Sequence, residues 1–308
     1  MQHRPVMLAE VLEQMAIKDD GIYLDCTFGR GGHSQGILSL LGASGRLLAF
    51  DRDVDAIVSD VALAMLKDKR FTLSHSCFSA LESVVADEAL VGQIDGILLD
   101  LGVSSPQLDD PQRGFSFMQD GPLDMRMDIG AEMTAAKWLS KVDEKELTRV
   151  LFEYGEERFA RRIARAIVET RAEKPLLTTR QLAGLIEHAV PKREKRKHPA
   201  TRSFQAIRIE INKELDELKD VLQQSIQVLK RGGRLVVISF HSLEDRMVKQ
   251  FIRNESGAKY DPGKLPVKEA DIAQGCLVKR GKPLKAGKFE IEQNPRARSA
   301  IMRVAERV

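Results

Sequence analysis

Over the first hundred residues short apolar runs alternate with amphipathic stretches, the pattern of βα units that build a largely parallel sheet. Gly21–Asp25 (GIYLD), Arg46–Asp51 (RLLAFD) and Ile94–Asp100 (IDGILLD) read as buried strands, and each ends at an aspartate. The carboxyl ends of such strands form the edge at which open α/β sheets bind ligands. Arg234–Ser239 (RLVVIS), after Gly232-Gly233, reads as another buried strand more than a hundred residues further on.

The intervening stretch changes period. Asp143 opens a helix with Leu147, Val150, Leu151 and Tyr154 on one face and Gly155 placed to end it. A second helix turns Phe159, Ile163 and Ile167 inward and Arg158, Arg161, Arg162, Arg165 and Arg171 largely outward. Thr178 with Gln181 forms a capping box for a third, which Pro191 stops. Residues 133–205 are therefore expected to be an all-helical insertion into an α/β domain formed by 1–132 and 206–308. Phe204, Ile207, Ile211, Leu215, Leu218, Leu222 and Leu229 predict one long helix or two collinear ones leading back to the sheet. The last forty residues, rich in Gly, Pro and Lys, read as mostly loop before a closing strand in Ser299–Val308.

Composition narrows the class without naming a partner. With 43% hydrophobic, 30% charged and 5% aromatic residues, the 308-residue chain can bury a sizeable core and is neither disordered nor collagen-like. Its 48 basic and 45 acidic residues leave a net charge of +3, informative only where the charges cluster. Cys26, Cys77 and Cys276 are far apart and include no C-x-x-C pair, so neither a zinc site nor a disulfide framework is signalled and a reduced, cytoplasmic setting is expected. No apolar stretch suits a leader peptide or a membrane span, and no metal is required.

Thr27–Ser34 (TFGRGGHS) directly follows the first strand and precedes a helical pattern, so its glycines let backbone approach a ligand. Ser34 replaces the third glycine of a dinucleotide fingerprint and no G-K-[ST] ending is present, which disfavours nicotinamide and ATP. Asp51 lies twenty residues after Gly31 at the tip of the second strand, where it can accept hydrogen bonds from both ribose hydroxyls. The competing reading is a tight turn with helix-capping aspartates. An adenosyl ligand without pyrophosphate, S-adenosylmethionine, fits the loop better. Asp100–Asp109 (DLGVSSPQLD) then stands where amino-directed methyltransferases carry a short Pro-containing motif, and Ser105-Pro106 is an imperfect echo of it. An exocyclic amine has its lone pair delocalised into the ring, so such a site must accept its N–H groups and favour tetrahedral nitrogen.

These blocks, with Arg113–Phe117 (RGFSF), Gly121–Met127 (GPLDMRM), Tyr154–Arg158 (YGEER), His198–Arg202 (HPATR), Phe204-Gln205-Ala206, Ser239–Arg246 (SFHSLEDR) and Asn294–Ser299 (NPRARS), resemble the bacterial 16S ribosomal RNA cytosine-N4 methyltransferase family (RsmH/MraW) from near the N-terminus to the last ten residues. The resemblance implies a class I S-adenosylmethionine-dependent (Rossmann-like) α/β fold with an inserted helical domain. It also implies a donor site of Gly31, Gly32, His33, Asp51, Phe78, Asp100 and Gln107. Phe78 would pack on adenine, or else be a core aromatic; His33 would meet the donor's methionine end, or else be a helix-terminus residue. Asp100, Ser104, Ser105 and Pro106 are the candidates for holding the amine.

A cytosine in structured RNA must be splayed out to react, so basic residues should border the pocket. Pro191–Arg202 carries six Lys or Arg against one Glu, and Lys279–Arg298 carries seven against two Glu. Both fit phosphate contacts, His198, Arg202, Arg296 and Arg298 among them, or solvated loops. Arg113, Phe115, Phe117 and Arg126 could stack an extruded base, although both phenylalanines could equally anchor a core. His241 and Ser242 are further RNA candidates, the alternative being Ser242 as a helix N-cap. The expectation is a monomeric or weakly dimeric enzyme acting on small-subunit RNA. The competing classes are a DNA amino-methyltransferase, which would modify naked duplex, and an RNA-binding assembly factor without catalysis, which would not depend on Asp51 for donor binding.

Overall fold

The computed structural model describes residues 5–191, 198–257 and 274–308. The chain divides into two compact units, one of Met1–Gly102 with Leu215–Val308 and the other of Val103–Glu214. The first unit holds a seven-stranded sheet of β1 (Ile22–Asp25), β2 (Arg46–Asp51), β3 (Phe71–His75), β4 (Ile94–Asp100), β5 (Leu229–Ser239), β6 (Leu277–Lys285) and β7 (Ile301–Arg307). Their order is β3-β2-β1-β4-β5-β7-β6. Strands β3 to β5 run parallel, whereas β7 is antiparallel to both β5 and β6. This doubly wound order, with β7 alone reversed and inserted between β5 and β6, is the class I methyltransferase fold.

Strand alternation explains why both faces are covered. Leu24, Leu48, Phe50, Ile97, Leu99, Leu235 and Val237 pack on one side with the helices Leu81–Asp87, Glu214–Val228 and Ser242–Asn254. Tyr23, Leu47, Ala49, Leu98, Val236 and Ile238 pack on the other with Leu8–Met15, Gly32–Leu40 and Asp60–Met65. Two buried faces require the near-continuous apolar runs seen in the sequence, because every second residue meets a different helix layer.

Two strands escaped the sequence pattern. β3 is a sheet-edge strand whose Thr72, Leu73 and Ser74 are only half-buried, so it lacks an unbroken apolar run. β6, in the stretch expected to be mostly loop, is the opposite edge; apart from Leu277 and half-buried Leu284 its residues are exposed, and its lysines blunt an edge that would otherwise pair with another chain. A short helix, Lys288–Gln293, and a 3-10 turn, Pro295–Ser299, also lie there.

The second unit is helical: among the described residues it contains Ser105–Asp109, Ala135–Lys141, Glu144–Glu153, Ala160–Glu173, Thr179–Ala189 and Ala200–Asn212. Asp143 caps its helix by accepting from the Glu146 N–H at 2.7 Å, and Thr178 with Gln181 forms the anticipated reciprocal box. Leu147, Val150, Leu151, Ile163, Ile167, Leu182, Ile186, Phe204 and Ile207 make the core. This unit is wider than 133–205 because Phe115, Leu123, Met125 and Met127 join that core. Asn212 ties the same stretch down, accepting from Met127 N–H at 2.7 Å and donating to the Met125 carbonyl at 2.7 Å. The run from Ser203 onward is two helices, because Lys213 takes a left-handed φ of 52° that ends the first.

Candidate functional site

The first unit gathers its chemistry at the carboxyl ends of β1, β2 and β4. Asp25, only 1% exposed, accepts from Ser34 Oγ at 2.6 Å and from the Thr27 N–H at 3.1 Å, so it braces both sides of the glycine loop. Thr27 Oγ1 in turn accepts from the Asp100 N–H at 2.7 Å, joining the loop to β4. Gly31 has φ +73°, and a β-carbon there would come within 2.9 Å of the Phe28 ring, so glycine is required for the turn into Gly32–Leu40. The first N–H groups of that helix are a natural partner for ligand oxygens.

Asp51 accepts from the Gly29 N–H through Oδ2 at 2.7 Å and from the Asp53 N–H through Oδ1 at 2.8 Å. Each oxygen keeps a lone pair, which suits two neighbouring hydroxyls. Burial pushes its carboxyl up to about 6, with the two N–H groups opposing the rise. Asp100 is likewise pushed up to about 6 by burial; His33 opposes the rise, while the negative charges of Asp25 and Glu244 add to it. Its Oδ1 is buried without a hydrogen-bond partner among the described residues, and a buried lone pair of this kind favours a ligand that can donate to it.

His33 is 6% exposed, donates through Nε2 to the Val6 carbonyl at 2.9 Å, and places Nδ1 3.6 Å from Asp100 Oδ2. It therefore ties the amino-terminal segment to the carboxylate rather than only ending a helix. Phe78 is half-buried against the sheet core at the start of a 3-10 turn, Phe78–Ala80. Helix Glu214–Val228 steadies that turn: Gln224 donates to the Ser79 carbonyl at 2.6 Å, and Glu217 pairs with Arg52 at 3.2 Å. Burial raises the Glu217 carboxyl while Arg52 opposes. The Arg52–Glu217 support left no sequence signal beyond the neighbouring Asp51.

The N-cap of Ser242–Asn254 is His241, not Ser242. His241 Nδ1 accepts from the Glu244 N–H at 3.4 Å, and Glu244, 2% exposed, accepts from the Phe240 and His241 N–H groups at 2.8 and 3.2 Å. The imidazole reaches the helix backbone because His241 stays extended, with φ −137° and ψ 164°. Ser242 becomes the first helical residue.

In the second unit the candidate residues chiefly organise their own loops. Ser104 and Gln107 form a capping box: the Ser104 N–H donates to Gln107 Oε1 at 2.8 Å, and Pro106 occupies the first turn. Gln107 is 6% exposed, while Ser104, Ser105 and Pro106 are half-buried. Arg113 donates to the Met127 carbonyl at 2.9 Å and lies over the Phe115 ring at 5.8 Å. Arg126 is held by both oxygens of Asp124 at 2.7 Å and donates to the Ile129 and Ala131 carbonyls. Met125 between them has a left-handed φ of 65°, and the Asn212 hydrogen bonds flank it. Phe115 is core, as its alternative reading required. Phe117 is half-buried, with its ring 4.6 Å from His198 and 4.8 Å, edge-on, from Phe204.

Of the basic stretch Pro191–Arg202, residues 192–197 lie outside the described residues; His198 is exposed and Arg202 half-buried. Arg296 and Arg298 are exposed on Pro295–Ser299. No described helix is long and apolar enough to cross a membrane.

The whole chain, residues 1–308, matches the family described as the MraW methylase family. It is similar to a protein of Methylococcus capsulatus named Ribosomal RNA small subunit methyltransferase H, 55% identical over 303 residues, covering 98% of this chain and 99% of that protein. Similar proteins of the same name are found in Thioalkalivibrio sulfidiphilus, 56% identical over 99% of this chain and 97% of its own, and in Alteromonas mediterranea, 53% identical over 100% and 98%.

Proposed function

The chain belongs to the MraW methylase family, and on that premise we propose that it transfers a methyl group from S-adenosylmethionine to the exocyclic N4 of a decoding-centre (P-site) cytidine in 16S ribosomal RNA of the small subunit, in the cytoplasm. The observation that carries this reading is the pair of half-buried carboxylates at the sheet's carboxyl edge, Asp51 with free lone pairs and Asp100 with one oxygen unpartnered among the described residues. The names of relatives sharing more than half of their residues supply the RNA class.

S-adenosylmethionine supplies a methyl group on a sulfonium, open to direct attack by a nitrogen lone pair, with the S–CH3 bond breaking, the neutral thioether leaving and the methylated amine losing one proton. The protein's task is then to bind, align and accept hydrogen bonds. Asp51 takes the ribose hydroxyls, the Gly31-Gly32 backbone and His33 take the methionine end, and Phe78 covers adenine. Asp100 accepts an N–H or the donor's cationic end. Ser104, Ser105, Pro106 and Gln107, which follow Asp100 in the chain, are proposed for the amine and donor on the strength of the sequence motif. Alignment of the two reactants can supply about 7–11 kcal/mol of the barrier reduction without a covalent nucleophile. Arg296 and Arg298, exposed on one 3-10 turn, are proposed phosphate contacts.

Mass spectrometry of 16S RNA from a deletion strain tests the reading. N4-methylcytidine should disappear from one decoding-centre position and return with the intact gene but not with Asp51→Ala. An unchanged N4-methylcytidine level would overturn it.

A further inference from the structure

Helix Ser242–Asn254 starts at the Asp100 edge, where Glu244 acts on the Asp100 carboxyl. Its other end faces the β6–β7 hairpin across a cavity of about 320 Å³. Lys249, Arg253, Lys279, Arg280, Lys282 and Arg303 line that cavity, and among the described residues no acidic one does. Ile252 and Val304 give it an apolar floor.

Two of the six cations are already committed. Arg303 is fixed by Asp245 at 2.7 and 2.9 Å, and Arg280 by Glu306 at 2.9 Å. Lys249, Arg253, Lys279 and Lys282 are exposed and have no carboxylate partner among the described residues. Ser256 lines the same cavity, and its buried hydroxyl has no hydrogen-bond partner among the described residues. Strand β6 breaks register between Arg280 and Leu284, with Gly281 at φ +65°, so Lys282 sits on a bulge next to the regularly paired Lys279 and Arg280.

Four uncompensated cations around one concavity repel each other, and a polyanion removes that cost while releasing its own counterions. Position argues for backbone rather than base recognition. Arg253 lies eleven positions after Ser242, and at about 1.5 Å per residue the groove lies roughly 16 Å along the helix from the Asp100 edge. A base reacting beside Asp100 cannot also fill the groove, but phosphates elsewhere in the same RNA can.

We propose that this groove, between Ser242–Asn254 and the β6–β7 hairpin, is a second RNA contact that grips the sugar-phosphate backbone away from the target base. It rests on the ribosomal RNA reading above and adds a site outside the reaction edge. The groove sets affinity and register and carries no base specificity.

The test compares full-length wild type with K249Q/R253Q/K279Q/K282Q and with K67Q/K69Q/K145Q/K174Q, a charge-matched control on exposed lysines elsewhere. Methylation kinetics use small subunits lacking the modification; fluorescence anisotropy uses a labelled small-subunit RNA fragment, so that the groove is read even without turnover. The groove variant should raise KM for the subunit and Kd for the fragment about tenfold, keep kcat and the S-adenosylmethionine Kd, and flatten the log Kd against log salt slope by about 3. The control should stay within about twofold of wild type. Unchanged RNA affinity and salt slope, or equal loss in both variants, would overturn the groove. Fragment binding that depends on the groove but no methylation of subunits by wild type would instead overturn the reaction reading.

Discussion

Strand β4 carries an aspartate at each end, and the two ends behave oppositely. At the amino end Asp95 is 5% exposed yet well supplied: it accepts from the Ile22 N–H at 3.1 Å and pairs with Lys18 at 3.2 Å and Lys230 at 2.6 Å. Burial raises its carboxyl, but Lys230, the Ile22 N–H and Lys18 together hold it below the usual range. At the carboxyl end Asp100 has an orphaned oxygen and a carboxyl pushed up to about 6, and Asp51 on β2 is pushed equally far. A fully paired buried carboxylate supports the fold; one left short of partners costs stability and reserves its lone pairs for a ligand.

The sharpest break of this contrast is Asp51→Asn. Its amide cannot offer two acceptor oxygens, and hydrogen bonds to charged groups are worth about 1.5–3 kcal/mol each. S-adenosylmethionine affinity, read by calorimetry, should fall roughly a hundredfold. Asp95→Asn should do the reverse, lowering unfolding free energy in urea by about 2 kcal/mol while leaving donor affinity intact. A large loss of donor binding from the Asp95 variant would erase the distinction between the two edges.

The smallest effect is pH dependence, and its signs separate the edges. Asp51 and Asp100 bind protons more tightly folded than unfolded, so stability falls as pH rises from about 4 to 6 and then levels. Asp95 is depressed, so its contribution is present above the unfolded carboxylate range and lost as pH falls below it. On the proposed role of Asp51, donor binding needs its ionised form, so affinity should drop about tenfold between pH 7 and pH 5 in wild type. That dependence should shrink in Asp51→Asn; an unaltered pH profile in the variant would show that Asp51 is not the titrating group.

Much of the site's scaffold was legible. The ends of β1, β2 and β4 fell at Asp25, Asp51 and Asp100, and the Asp143 and Thr178 caps sat where spacing put them. Local rules suffice there, because a strand buried on both faces and a capped helix are each specified by neighbouring residues. Arg113 and Arg126 were harder. Their guanidinium groups suited RNA in the sequence, but the chain bends at Met125 and spends much of their hydrogen-bonding capacity on its own carbonyls. His241 as a cap, the strand in the basic tail and the break at Lys213 were equally hidden, since each depends on backbone conformation or on strand neighbours.

The sequence by itself determined the alternating strands and helices, the three strand-end aspartates, the glycine turn and the family. Only the tertiary structure decided which carboxylates are satisfied and which are short of partners, and that six lysine and arginine side chains from a helix and a hairpin line one groove, four of them without a carboxylate partner among the described residues. Pattern fixes which face a residue takes; partners supplied from distant parts of the chain set the cost of burying its charge.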